Sequence, residues 1–262
     1  MIRLLDARTS SPAEVRPAQP GVLRVCAHVP GADARPGVTA LRVLLAADLL
    51  ARVAELSGLQ VLTALATGDP AAGQASPLER DAGALGIHPP TARTTPGDAP
   101  SSLGGMIDVH LVTTDTLDPR LDGLLAVVDT AYLGWAGGHG DAAGEGLPAG
   151  PGRDPLAVRL ALMSVPISLA ARVTGDALGR AEETLGSWRQ QVARWAESPS
   201  RPVPASFADA ARAAFSDLDT ASALALLRGL APDASVPAGA KFETFVYADR
   251  ILGLDLAREV GR

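Results

Sequence analysis

Cys26 and His28 stand two residues apart at the end of an apolar run, and a thiol beside an imidazole is a start on a zinc site. Zinc takes about four ligands, or three and a water. The other histidines, His88, His110 and His139, form no ligand-spaced pair with each other in sequence. A small buried thiol at a strand end is therefore the commoner reading of Cys26. The loop after it, Pro30–Val38 (PGADARPGV), precedes a helix, a position where α/β proteins often hold ligands, although an ordinary connection is as good a reading. Gly138-His139-Gly140-Asp141-Ala142-Ala143 formally matches the dinucleotide fingerprint GxGxxA. That fingerprint must open a helix, and here Gly144, Gly146, Pro148, Gly150, Pro151 and Gly152 follow, which break one. Ser216-Asp217-Leu218-Asp219-Thr220 reads as a cap or an interruption between helices. No nucleophile triad can be proposed from residue order, because a triad is a geometry.

The elements that must carry these residues follow from periodicity. Val22–His28 reads as a buried strand between Pro20-Gly21 and Pro30-Gly31. Leu41, Leu45, Leu49, Val53 and Leu56 recur at helical spacing within Val38–Leu56. Leu59–Thr67 is a second strand, so the segment forms a βαβ unit. A short helix is expected at Pro77–Leu85, a surface loop at His88–Gly105 and a third strand at Ile107–Thr113. Leu121–Tyr132 reads as a helix, and Ala136–Gly152 as a flexible stretch and domain boundary. Beyond Asp154 the pattern turns helical: Pro155–Ala170, Asp176–Ala196, Ser206–Leu230 and Lys241–Leu252. Leu178, Ala181, Leu185, Trp188, Val192 and Trp195 form the seam of a bundle. The expected fold is an α/β, Rossmann-like parallel sheet over 1–150, followed by an all-α helical bundle over 151–262.

Composition narrows the classes. Of 262 residues, 47% are hydrophobic, enough for a packed core and too many for a disordered chain. Aromatics are 3%, so Leu, Val and Ala must build that core. No uncharged apolar run reaches membrane-spanning length and no secretory signal is apparent at the N-terminus, so no membrane partner is expected. A single cysteine excludes an internal disulfide and fits the cytoplasm. Basic residues are nearly all Arg, and Ala, Gly and Pro are abundant, a bias typical of GC-rich, actinobacterial coding sequences. The net charge of −6 opposes a polyanion such as tRNA.

A set of short segments, in order, resembles class I aminoacyl-tRNA synthetases of the cysteine-activating branch, which holds cysteinyl-tRNA synthetase and the mycothiol cysteine ligase. They are Val25-Cys26 before Pro30, Ala84–Pro90 (ALGIHPP), Leu133-Gly134-Trp135-Ala136-Gly137, Asp154–Leu160 (DPLAVRL), Asp217–Thr220 (DLDT) and Leu252–Leu256 (LGLDL). The resemblance implies an ATP cleft around Pro30, Arg35, Gly37, Asp108, Trp135 and His139. The family's HIGH-type motif would fall at Arg35-Pro36-Gly37-Val38, which keeps the glycine and lacks both histidines. Its KMSKS-type loop would fall at His139–Ala143, where both lysines are missing; the chain has one lysine, Lys241. Its HHE zinc segment maps onto Thr113-Thr114-Asp115, and the insertion carrying a further zinc cysteine is absent. That leaves Cys26 as the only ligand-like residue and argues against zinc. Charged donors aimed at developing phosphate charge are worth about 3–4 kcal/mol each. Losing four together removes most catalysis even when non-additivity is allowed for.

The resemblance therefore implies a degenerate member that has lost cysteine adenylation and binds or regulates, with Arg35, Gly37, Val38, His139 and Ala142 as degenerate signature positions. ATP, another nucleotide or an amino acid is the expected ligand class. The alternative is an active ATP-dependent ligase using Arg35, Arg42 and His139, with a small amine as acceptor, favoured over tRNA by the acidic charge and by a chain that ends at the bundle. A third possibility is a partner of an intact synthetase paralogue, through a face carrying Trp188 and Trp195.

Overall fold

The computed structural model describes residues 2–29, 37–67, 76–134 and 153–262. The chain begins with an antiparallel hairpin, β1 (Arg3–Asp6) and β2 (Ser11–Glu14). Then come β3 (Val22–His28), α1 (Val38–Leu56) and β4 (Gln60–Ala66), with β3 and β4 parallel over seven paired positions. This is the expected βαβ unit. Its first strand is an unbroken apolar run apart from Arg24 and His28, as a strand covered on both faces requires.

Helix α2 (Pro77–Ala84) starts at a capping box: Ser76 accepts from the Glu79 amide and Glu79 accepts from the Ser76 amide. The expected loop His88–Gly105 instead holds β5 (Ala92–Thr94), a 3₁₀ turn (Pro96–Asp98) and the one-turn helix α3 (Ala99–Ser102). Strand β6 (Val109–Val112) follows. Leu121–Tyr132, expected to be helical, contains β7 (Leu124–Val127) and the start of β8 (Ala131–Gly134). Its run Leu-Leu-Ala-Val-Val suits a buried strand as well as a buried helix, and a hydrophobic run that short carries no period to decide between them.

The seven-stranded sheet has the order β2-β1-β7-β6-β3-β4-β5. Strands β3 to β7 are mutually parallel and β1 joins β7 antiparallel. The order runs outward from β3 in both directions, so the chain switches direction between β3 and β6. That is the Rossmann-like arrangement, and the crevice at the carboxyl ends of these two strands is where such folds take ligands.

Helix α4 (Pro155–Met163) is shorter than expected, because the chain turns at Ser164 to form β9 (Ala171–Thr174), parallel to β8 in a second, two-stranded sheet. Four helices follow: α5 (Gly175–Trp195), α6 (Ala205–Ser216), α7 (Thr220–Leu230) and α8 (Ala238–Leu252). The expected helix Ser206–Leu230 is broken at Asp217–Asp219. Leu218 adopts φ of +50° there, and the Asp219 carboxylate caps α7 by accepting from the Ser222 amide. The expected interruption at this motif is thus found. Trp188 of α5 is buried against Phe245 of α8, edge to face, while the strand β9 within 151–262 departs from the expected all-α composition of that half.

Apolar side chains from β1 to Leu256 form one continuous core. Two buried guanidinium groups tie its parts together. Arg159 of α4 donates to the carbonyls of Leu85 and Leu252 and to Asp48 of α1. Arg42 of α1 donates to the carbonyls of Asp129, Thr130, Val165, Pro166 and Leu169, and so holds both sides of the small sheet. Among the described residues no helix is long and apolar enough to cross a membrane.

Candidate functional site

The switch between β3 and β6 brings a cysteine and two histidines together. Cys26 and His110 are direct partners in the parallel register, so their side chains leave the same face of the sheet. His28, two residues beyond Cys26, shares that face. His28 Nε2 lies 2.8 Å from His110 Nδ1, and the ring centroids are 5.1 Å apart. One potential ligand atom from each of the three residues falls within 4.8 Å of the other two. All three are buried, and Cys26 sits among Ala64, Ala66, Ala99, Leu103 and Ile107.

This burial controls ionisation. It pushes the Cys26 thiol up to about 12, far from the thiolate at neutral pH. It pushes His28 down to about 4. It also brings His110 to about 4, helped by His28 and Arg8 and opposed by the Asp122 carbonyl, which favours a proton on the ring. Both imidazoles are therefore neutral at pH 7, and one donates to the other. The expectation that Cys26 is the only ligand-like residue is corrected: parallel pairing brings His28 and His110 beside it.

The expected cleft residues do not all meet. Gly37 is the N-cap of α1 and Val38 its first residue, at the carboxyl side of β3. No side chain caps that terminus, and its first turn carries no acid. Asp108 lies at the amino end of β6, away from those carboxyl ends. Its two oxygens accept from the Ala18 and Arg24 amides, each at 2.7 Å, so it splices the chain entering β3 to β6. Thr113 closes a local turn with Thr116 at the carboxyl end of β6. Arg42 is committed to its carbonyls. Lys241 Nζ donates to the Ala231 carbonyl at 2.8 Å and lies over the Trp195 ring, 5.5 Å from its centroid. Pro30, Arg35, Trp135, His139 and Ala142 lie outside the described residues, as does the stretch 136–152.

A second opening lies on the other face of the sheet, between α1, α2 and β4. It is a cavity of about 320 Å³ lined by Ala27, Leu44, Ala47, Ala51, Ala82 and Ile87. Its polar positions are engaged with each other: Glu79 pairs with Arg93 at 2.6 Å, and Asp48 lies 3.1 Å from His88 Nδ1. No sequence signal marked it, because its walls come from helices and strands whose apolar residues read simply as core. The chain matches no family model and no curated protein.

Proposed function

We propose that this chain is a degenerate relative of the cysteine-activating class I synthetases, one that binds a small nucleotide-like or amino-acid-like ligand at the carboxyl edge of its parallel sheet without forming an adenylate. The helices from α4 onward are, in this reading, the counterpart of the bundle that follows the family's sheet. The observation that carries the reading is the employment of the cations. Adenylate formation needs positive groups at the triphosphate. The single lysine, Lys241, is engaged with the carbonyl of Ala231, and Arg42 is spent on five backbone carbonyls. Neither can serve phosphate without dismantling its own surroundings, which weighs against the alternative ligase that used Arg42. The burial of Trp188 similarly weighs against a paralogue docking through that residue.

The test is calorimetry of the full chain with ATP, with cysteine and with a cysteinyl-sulfamoyl adenylate analogue, run beside an ATP–pyrophosphate exchange assay. Saturable binding of one of the three without exchange is the expected result. Exchange above the enzyme-free background refutes the non-adenylating reading, and no binding of any of the three refutes the ligand class.

A further inference from the structure

We propose that Cys26, His28 and His110 form a three-ligand site for a thiophilic divalent transition metal, zinc by donor type. The site is argued from the strand register alone: Cys26 stands where the resemblance places a zinc cysteine, whereas His28 and His110 are not positions that it assigns to zinc, which are Thr113–Asp115.

One thiol and two imidazoles are a donor set suited to zinc and cobalt, and hard cations such as magnesium do not favour it. Here three such groups meet in an apolar interior, each offering one ligand atom within 4.8 Å of the other two. Zinc–nitrogen bonds of about 2.0–2.1 Å at a tetrahedral angle place two ligand nitrogens roughly 3.3 Å apart. His28 Nε2 and His110 Nδ1 stand at 2.8 Å, so the rings need to part by about half an ångström, which small rotations supply. The backbone holds them in register from both sides: β3 pairs with β4 and with β6, so Cys26, His28 and His110 rest on central strands rather than on loops.

The proton balance is explicit. The Cys26 S–H bond breaks, its proton goes to solvent and the sulfur lone pair binds the ion. The proton held between His28 and His110 moves to the other nitrogen of the ring that carries it, leaving both facing nitrogens as lone-pair donors. One proton is released per ion, and nothing is oxidised or reduced. Three protein ligands leave a fourth position for water or for a ligand atom, the arrangement of catalytic rather than structural zinc. His28 is the last residue of β3, so that position is next to the crevice where the fold takes ligands.

The test uses the full-length chain, stripped with a chelator and titrated with Co²⁺. A 1:1 end point with tetrahedral d–d bands and a thiolate-to-cobalt charge-transfer band is expected, and both should be bleached by Zn²⁺. Cys26→Ser should remove the charge-transfer band, and His110→Gln should abolish the stoichiometric end point. A folded wild-type chain that gives no cobalt spectrum overturns the proposal, as does a Cys26→Ser variant with an unchanged one. If either variant fails to fold by circular dichroism, X-ray absorption of the zinc-loaded wild type decides. One sulfur and two imidazole nitrogens in the shell support the site, and a shell without sulfur overturns it.

Discussion

Asp48 is a carboxylate inside a helix that packs on nearly every face, and it survives there through its partners. Arg159 Nη2 approaches at 2.6 Å, Arg52 Nε at 2.8 Å, and the His88 amide donates at 3.1 Å. Burial alone would raise its pKa, but the charges of Arg159 and Arg52 and their hydrogen bonds outweigh it and hold the carboxyl below the usual range. Asp48→Ala removes the carboxylate hydrogen-bonded to Arg159 and leaves its buried charge only the more distant Asp249, and the expected loss is about 3–5 kcal/mol in urea unfolding at pH 7. The sign with pH follows from the depressed folded value. The Asp48 contribution is complete above the unfolded pKa, near 3.9, and fades as pH falls through the lower folded pKa. Wild type and Asp48→Ala should therefore approach each other in stability under acid, and a gap that stays constant from pH 7 to pH 2.5 would show that Asp48 acts by packing alone. Arg42→Leu tests the second buried guanidinium: several carbonyls lose their donor at once, and a cost of about 3–5 kcal/mol is expected from the same measurement. At this scale the sequence disclosed identities without employment. Cys26 was recognisable as a ligand type, whereas His110, 82 residues from His28, becomes its neighbour only through strand pairing. Arg42 looked like a spare cation because helical periodicity places a residue on a face and says nothing about which carbonyls wait there.

Elements were legible where their period was long. The nineteen residues of α1 show their helical spacing over five turns, and β3 is bounded by Pro and Gly on either side. Elements of four residues carry too few positions for a period: β6 shows only as a short apolar run, and β7 with the start of β8 falls inside the span that the sequence gives to a helix. Glycines at strand entrances show how tightly those short strands are nonetheless fixed. Gly123, just before β7, has φ of +85°, and a Cβ there would stand 2.3 Å from the Ile107 carbonyl oxygen. Gly58, just before β4, has the same φ of +85° and nothing within 4 Å of its Cβ position. The two form a matched pair that separates backbone strain from contact. Gly58→Ala should cost about 1 kcal/mol, the strain alone. Gly123→Ala adds a clash with main chain that cannot swing away and should cost about 2–5 kcal/mol. Equal losses in the two variants, measured by denaturant unfolding, would refute the contact.

At the scale of the molecule, the glycine- and proline-rich stretch Ala136–Gly152 and the helical pattern after it divide the sequence into two expected units, 1–150 and 151–262, and hydrogen bonds run across that division. The sheet's own helix α1 depends on what lies beyond that point: Asp48 needs Arg159 of α4, and Arg42 needs the carbonyls of Val165, Pro166 and Leu169. In the other direction Arg159 uses the Leu85 carbonyl, which closes α2. Arg189 of α5 reaches Asp154 at the start of α4 and the carbonyls of Leu254 and Asp255 beyond α8, so the later helices are bound into the same set. A polypeptide of residues 1–152 would keep the sheet but expose the outer face of α1, leaving Arg42 with the Asp129 and Thr130 carbonyls alone and Asp48 with Arg52 and the His88 amide but without Arg159. Losing the buried Arg159–Asp48 pair costs about 3–5 kcal/mol, and the three carbonyls lost to Arg42 and the apolar surface bared on α1 add to it, which together approaches the stability of an ordinary domain. The fragment should therefore show no cooperative thermal transition, while the full chain should unfold in one step with coincident midpoints by far-ultraviolet circular dichroism and tryptophan fluorescence. Trp188 reports from α5 and the circular dichroism from every helix, α1 included, so the two signals sample both sides of residue 150. Separated midpoints, or a fragment that melts sharply on its own, would mean that the sheet is self-sufficient and that the contacts of Arg42 and Asp48 join two independent units rather than complete one.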